Sequence, residues 1–173
     1  MLADIISVLA MAYGGEAKRE ALKFRLAGES GAVDEWGHEY VKHLAMEIGQ
    51  EYRAVIGEMG GLDGHSALST LTNHIVRFFL DHNAEPDAVD LLISCEQLPR
   101  LLHALNPDDD ADRVIRYLLS CTPFEAYPDD MLLLQVAHDL CLKLDRYPEA
   151  LNIAIKMNRR DLIKSDFDSC SDR

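Results

Sequence analysis

Apolar residues recur along this chain at spacings of three and four, and no segment alternates cleanly in the manner of a strand. That period predicts an all-α fold. Residues 3–13 are apolar almost throughout and read as a first helix, ended by Gly14-Gly15, which tolerate the left-handed geometry of a C-cap. Residues 16–27 read as a second, with Ala17, Ala21, Leu22 and Leu26 on one face, before Gly28, Ser30 and Gly31 break the chain. The third, about 33–56, has the clearest stripe: Trp36, Tyr40, Leu44, Ile48 and Tyr52 recur every four residues, widened by Val41 and Ala45, with Glu39, Lys42, Glu47 and Gln50 mostly off it. If Trp36 lies inside with the others, its truncation to Ala costs about 3–5 kcal/mol.

Gly57, Gly60, Gly61 and Gly64 make 57–64 the expected flexible loop. A helix over about 65–82 follows, with Leu68, Leu71, Ile75, Phe78 and Phe79 on its apolar side and Asp81-His82-Asn83 at its end. Beyond it the punctuation is regular. Pro86 opens a helix through about Glu96, and Leu98–Leu105 make a shorter one. Asn106-Pro107-Asp108 signals a start, with a side-chain cap, a proline in the first turn and acids against the positive helix end. That helix runs to about Cys121. Pro128 opens the next, through about Leu144. Pro148 opens another, to about Met157, and a last one covers about 159–167.

Roughly ten helices result, joined by short connections. Pro86-Asp87-Ala88-Val89-Asp90-Leu91-Leu92-Ile93 aligns with Pro148-Glu149-Ala150-Leu151-Asn152-Ile153-Ala154-Ile155 at an offset of 62 residues. Two units of about 31 are near the period of helix-hairpin repeats. The expected architecture is an array of antiparallel helix pairs, α-solenoid-like, forming one helical domain over 1–173.

Charge and chemistry narrow the function. The net charge is −13, which repels nucleic-acid phosphate and anionic lipid, so neither is an expected partner. Cys95, Cys121, Cys141 and Cys170 stand 26, 20 and 29 residues apart, with no CxxC pair, and read as reduced thiols of a cytosolic or nuclear protein. The N-terminal run resembles a signal peptide but lacks a basic region, carries Asp4 and is too short to span a bilayer.

The candidate catalytic and metal-binding groups fail one by one. His38 and His43 stand five apart, whereas the zinc motif HExxH needs four to bring both imidazoles to one metal. Asp108-Asp109-Asp110 and Asp129-Asp130 lack the alternating oxygens and glycine of a Ca²⁺ loop and suit helix starts. Ser94, Cys95 and His103, or His138 and Cys141, sit in helices at ordinary apolar-face spacing without a nucleophile signature. Gly60-Gly61-Leu62-Asp63-Gly64 precedes no phosphate-binding lysine, and Lys156, Arg159, Arg160 and Lys164 cluster around a helix end, where dipole compensation explains them. No catalytic residue, metal ligand or cofactor is expected, and no partner-binding residue can be named.

Several ordered segments carry a family resemblance. Ala3-Asp4-Ile5-Ile6-Ser7-Val8-Leu9-Ala10-Met11, Lys18 to Leu26, and Trp36-Gly37-His38-Glu39-Tyr40-Val41-Lys42-His43-Leu44-Ala45 are similar to successive segments of the 26S proteasome non-ATPase regulatory subunit 2 family. His82-Asn83-Ala84-Glu85, Asp90-Leu91-Leu92, Leu118-Leu119-Ser120-Cys121, Arg146-Tyr147-Pro148-Glu149-Ala150-Leu151 and Asp166-Phe167-Asp168-Ser169-Cys170 follow in the same order. The loop 57–64 and the stretch 122–128 depart from the family pattern. The resemblance implies a non-enzymatic scaffold in the base of the proteasome regulatory particle, cytoplasmic and nuclear. It would contact the base ATPase subunits and other regulatory-particle subunits. The family's ubiquitin-like-domain sites are expected outside this chain, in repeats beyond Arg173. The alternative is a stand-alone helical-repeat adaptor that binds a peptide or protein partner. A scaffold piece would expose apolar faces at Met1 and after Phe167.

Overall fold

The computed structural model describes residues 2–13, 19–28, 33–59, 66–106 and 109–170. Among the described residues the chain is all-α, with ten α-helices, three 3-10 turns and no strand. The helices are α1 (Leu2–Tyr13), α2 (Glu20–Ala27), α3 (His38–Met59), α4 (Ser66–Asp81), α5 (Glu85–Ser94), α6 (Leu101–Ala104), α7 (Ala111–Cys121), α8 (Asp129–Lys143), α9 (Tyr147–Lys156) and α10 (Arg160–Ser169). They divide into two compact units, Met1–Gln97 and Leu98–Arg173.

In the first unit α3 is the spine. Its stripe Tyr40, Val41, Leu44, Ile48 and Tyr52 is buried, as are Leu68, Leu71, Ile75, Phe78 and Phe79 of α4 and Ala88, Val89, Leu91 and Leu92 of α5. α1 packs on α2, and α3 on α2, α4 and α5. In the second unit α8 holds the corresponding place, packed on α6, α7 and α9, with α10 on α9. Val114, Leu118, Leu133, Ala137, Leu140, Ala150 and Ile153 fill that core. Lys143 at the end of α8 donates to the Leu102 carbonyl at 2.6 Å and the Leu105 carbonyl at 3.4 Å, closing the open C-terminal end of the one-turn helix α6.

One backbone device recurs. Residues 82–84, 144–146 and 157–159 join α4 to α5, α8 to α9 and α9 to α10, each a three-residue connection. The middle residue of each is left-handed: Asn83 at φ 55°, Asp145 at 57° and Asn158 at 55°. The next amide reaches back to close the helix end, as Ala84 N–H to Phe79 O at 2.8 Å, Arg146 N–H to Cys141 O at 2.8 Å and Arg159 N–H to Ala154 O at 3.2 Å. A second bond in each connector, such as Asp145 N–H to Leu142 O at 3.1 Å, completes a Schellman motif. Glu96 (φ 53°) repeats the motif at the end of α5, with Gln97 N–H to Leu92 O at 2.8 Å. The 62-residue offset read from sequence therefore holds in backbone geometry, from Asn83 to Asp145 and from Glu96 to Asn158. The elements starting at Ser66, Leu98, Asp129 and Arg160 begin 32, 31 and 31 residues apart, the period of a helix-pair repeat.

Several sequence expectations need correction. The stripe of α3 does not extend to Trp36. Gly37 adopts φ 87°, so Asp34–Trp36 form a separate 3-10 turn and Trp36 is 37% exposed. The second helix is described from Glu20, after a left-handed Arg19 (φ 48°). Its buried face holds Arg25, while Leu26 is 39% exposed. Residues 98–105 divide into a 3-10 turn, Leu98–Arg100, and the single turn of α6. The start expected at Asn106-Pro107-Asp108 falls later. Asp110 is the cap, its carboxylate accepting from Arg113 N–H at 3.1 Å, while Asp109 turns back to the Asn106 amide at 2.7 Å. Pro107 and Asp108 lie outside the described residues, as do Gly14-Gly15, Ser30 and Gly31. α3 is helical through Met59, and residues 60–64 of the expected glycine loop also lie outside them.

The burial pattern fixes a ranking of mutants. Ile48→Ala should lower the unfolding free energy by about 2–5 kcal/mol through the cavity it leaves, whereas Trp36→Ala should cost less than about 2 kcal/mol. Urea denaturation followed by far-UV circular dichroism checks both.

Candidate functional site

The unusual chemistry of the first unit is a buried polar cluster among α1, α2 and α3. Asp4, Ser7, Arg25 and Glu47 are all nearly inaccessible to water. The Ser7 hydroxyl lies 2.6 Å from the Ala21 carbonyl and 2.6 Å from the Tyr40 hydroxyl. A carbonyl can only accept, so the one Ser7 proton goes to Ala21 and Tyr40 must donate to Ser7. The relay Tyr40 to Ser7 to Ala21 thus ties α3 to α1 and α1 to α2. Burial pushes the Tyr40 phenol above its ordinary range, which keeps it the donor.

Two carboxylates complete the cluster. Arg25 Nη1 donates to Asp4 Oδ1 at 3.0 Å, a buried ion pair between α2 and α1. Gly28 permits it: a Cβ at that position would sit 2.6 Å from Asp4 Oδ1. Arg19 offers α2 no side-chain cap, and Glu47 of α3 supplies one instead. Its Oε2 accepts from the Leu22 N–H at 2.6 Å, an amide of the open first turn of α2, and its Oε1 lies 3.1 Å from His43 Nε2. Arg19 in turn reaches Gln50 O at 3.2 Å and Glu51 Oε2 at 3.1 Å.

The second unit has a smaller counterpart. His138 Nε2 of α8 stands 2.8 Å from Asp166 Oδ2 of α10, with both side chains buried, and His138 Nδ1 faces Asp139 Oδ1 at 3.3 Å. Asp139 also accepts from Gln135 at 2.8 Å. Both imidazole nitrogens face carboxylates, so neither is left to take a proton from Cys141. Burial, reinforced by Glu149, pushes the Cys141 thiol up to about 11, where it is protonated at neutral pH. The arrangement ties helices together and builds no nucleophile.

The remaining sequence candidates are dispersed. His38 packs against the rings of Phe78 and Phe79, with centroids 5.5 and 5.8 Å away, while His43 is engaged by Glu47. No group of three or more potential metal ligands converges among the described residues. Asp129 and Asp130 stand in the first turn of α8. Ser94 and His103 are exposed, and Cys95 is buried at the end of α5. Arg159 binds Asp161 at 3.0 and 2.6 Å, and its guanidinium holds that carboxyl down at about 2, so this part of the basic cluster is already neutralised. No described helix is long and apolar enough to cross a membrane.

Sequence reasoning missed Asp4–Arg25, Glu47 and His138–Asp166. A signal existed for the first, since Asp4 is the one acid in an otherwise apolar helix. Glu47 stands three residues after Leu44 and one before Ile48, at the edge of the stripe.

The polar ties are helix cement, so kinship has to say what the cemented body belongs to. The family model described as the RPN1 N-terminal domain matches residues 1–173. The chain belongs to that family. It is 41% identical over 171 residues to the 26S proteasome non-ATPase regulatory subunit 2 homolog A of Arabidopsis thaliana, covering 99% of this chain and 19% of that protein. It is 42% identical over 166 residues to the 26S proteasome non-ATPase regulatory subunit 2 of Dictyostelium discoideum, covering 96% and 18%. The 26S proteasome regulatory subunit rpn1 of Schizosaccharomyces pombe is 41% identical over 171 residues, covering 99% and 19%. The chain thus spans about a fifth of the length of these relatives.

Two outcomes test the cluster and the thiols. Ser7→Ala strands the Tyr40 hydroxyl and removes the second bond to the Ala21 carbonyl, and should cost about 1–3 kcal/mol; Tyr40→Phe removes a donor only and should cost about 0.5–1.5 kcal/mol, read by urea denaturation. Iodoacetamide at pH near 8 should modify exposed Cys170 first, with Cys95 and Cys141 reacting only once the chain is unfolded, as peptide mass spectrometry would reveal.

Proposed function

We propose that this chain is a non-catalytic scaffold segment of the 26S proteasome regulatory particle base, supporting ubiquitin-dependent degradation through protein–protein contacts in the cytoplasm and nucleus. The observation that carries this reading is the family match over residues 1–173, together with relatives that bear the name of a non-ATPase regulatory subunit. Residues 1–173 act in it as one helical segment of a larger scaffold. Its partners are the base ATPase subunits and other regulatory-particle subunits, held through protein–protein contacts.

The chemistry of the interior supports the same reading. Asp4, Arg25, Glu47, His138 and Asp166 are committed to tying helices together. Helices tied in this way within each unit lose little conformational freedom on docking, which favours association.

Affinity capture of the tagged chain from a cell lysate, followed by mass spectrometry, should recover base ATPase subunits. Capture by a full-length relative with none by this chain would overturn the proposal.

A further inference from the structure

A groove of about 280 Å³ opens between α7 and α9 of the second unit, both of which pack on α8. Ile115 and Leu119 of α7 and Ile153 of α9 give it an apolar floor. Its charges are sorted along its length. Where the two helices begin, Arg146 ahead of α9 is ion-paired with Asp112 in the first turn of α7, and Glu149 stands in the first turn of α9. Farther along, the groove is lined by Arg116 and Lys156. The Arg116 side chain is 78% exposed and meets Asp112 only loosely, at 3.8 Å. Lys156 has no ion pair among the described residues. It belongs to the basic cluster that sequence alone assigns to dipole compensation. Arg159 of that cluster is neutralised by Asp161, whereas Lys156 lines the groove.

We propose that this groove docks a short acidic segment of a partner protein. One apolar side chain of the segment sits over Ile115, Leu119 and Ile153, and its carboxylates meet Arg116 and Lys156. Charge selects the occupant. The chain carries 30 acidic residues against 17 basic, so an apolar groove flanked by underpaired cations is an exception on this surface. Of the two acids in the groove, Asp112 is already held by Arg146, and Glu149 stands at the end away from Lys156. A basic segment would set like charges together, and a wholly apolar one would strip water from two cations without replacing it. The net charge of −13 opposes an acidic partner only at long range, where salt screens it beyond about 8 Å, so the charges in contact decide.

The groove is small and its cations are exposed, so binding is weak, with a dissociation constant on the order of 100 µM. This inference concerns one surface of the chain and is independent of the proteasome reading, so either can fail alone.

The probe is a tetramethylrhodamine-labelled peptide, Gly-Asp-Glu-Leu-Asp-Glu-Gly, titrated with the full chain by fluorescence anisotropy. It should bind, whereas the amide version, Gly-Asn-Gln-Leu-Asn-Gln-Gly, should not. Arg116→Glu/Lys156→Glu, both on exposed side chains, should keep the far-UV spectrum of the parent and weaken binding by about tenfold or more. Arg160→Glu/Lys164→Glu makes the same change of charge outside the groove and should weaken it by less than about twofold. Amide shifts in ¹H–¹⁵N spectra on adding peptide should concentrate around Ile115, Leu119 and Ile153. Equal affinity for the amide peptide, equal loss in the two double variants, shifts centred elsewhere, displacement by inorganic phosphate at constant ionic strength, or no binding by the parent would each overturn the proposal.

Discussion

Helix hairpins in this molecule depend on one backbone constraint. After α4, α5, α8 and α9 a single non-glycine residue turns left-handed, and the amide that follows reaches back to cap the helix it has just left. The next helix then starts within a residue or two, already running back along the one before, as α5 does on α4, α9 on α8 and α10 on α9. Asn and Asp fill three of the four positions, residues whose short polar side chains tolerate this conformation better than most. The turn fixes where each helix begins, and the apolar stripe on either side then packs without further instruction.

Beneath that uniform device lies a second kind of fixation, particular to each place. Apolar stripes are permissive, because a helix can rotate or slide by a residue and still bury oil against oil. The Tyr40–Ser7–Ala21 relay, the Asp4–Arg25 pair and the Glu47 cap remove that freedom for α1 and α2, since a small rotation would strand several buried polar groups at once. Net stability is not their main product, as a buried ion pair roughly offsets its own desolvation. They specify one arrangement, and His138–Asp166 does the same for α8 and α10.

Family membership and interior chemistry are separate observations. The matched family model covers residues 1–173, and relatives about five times as long carry the name of a proteasome regulatory subunit. Independently, the titratable groups that might have been mistaken for chemistry, His43, His138 and Cys141, prove to be occupied by neighbours or buried and protonated.

The sequence alone determined the helices and most of their ends. Spacing in threes and fours marks a helix because side chains that far apart share a face, and proline or capping residues bound it, as at Pro86 and Pro148. It determined the 62-residue echo too, since a repeated turn demands repeated residue types. Where it overreached, at Trp36, one glycine dihedral redirected the chain, and a dihedral is invisible to spacing. Only the tertiary structure decided which polar groups meet. Arg25 and Asp4 are 21 residues apart, Leu22 and Glu47 are 25, and His138 and Asp166 are 28. Nothing periodic links such pairs. They come together because packed helices bring distant turns to the same depth, where a charge without a partner would cost too much to keep.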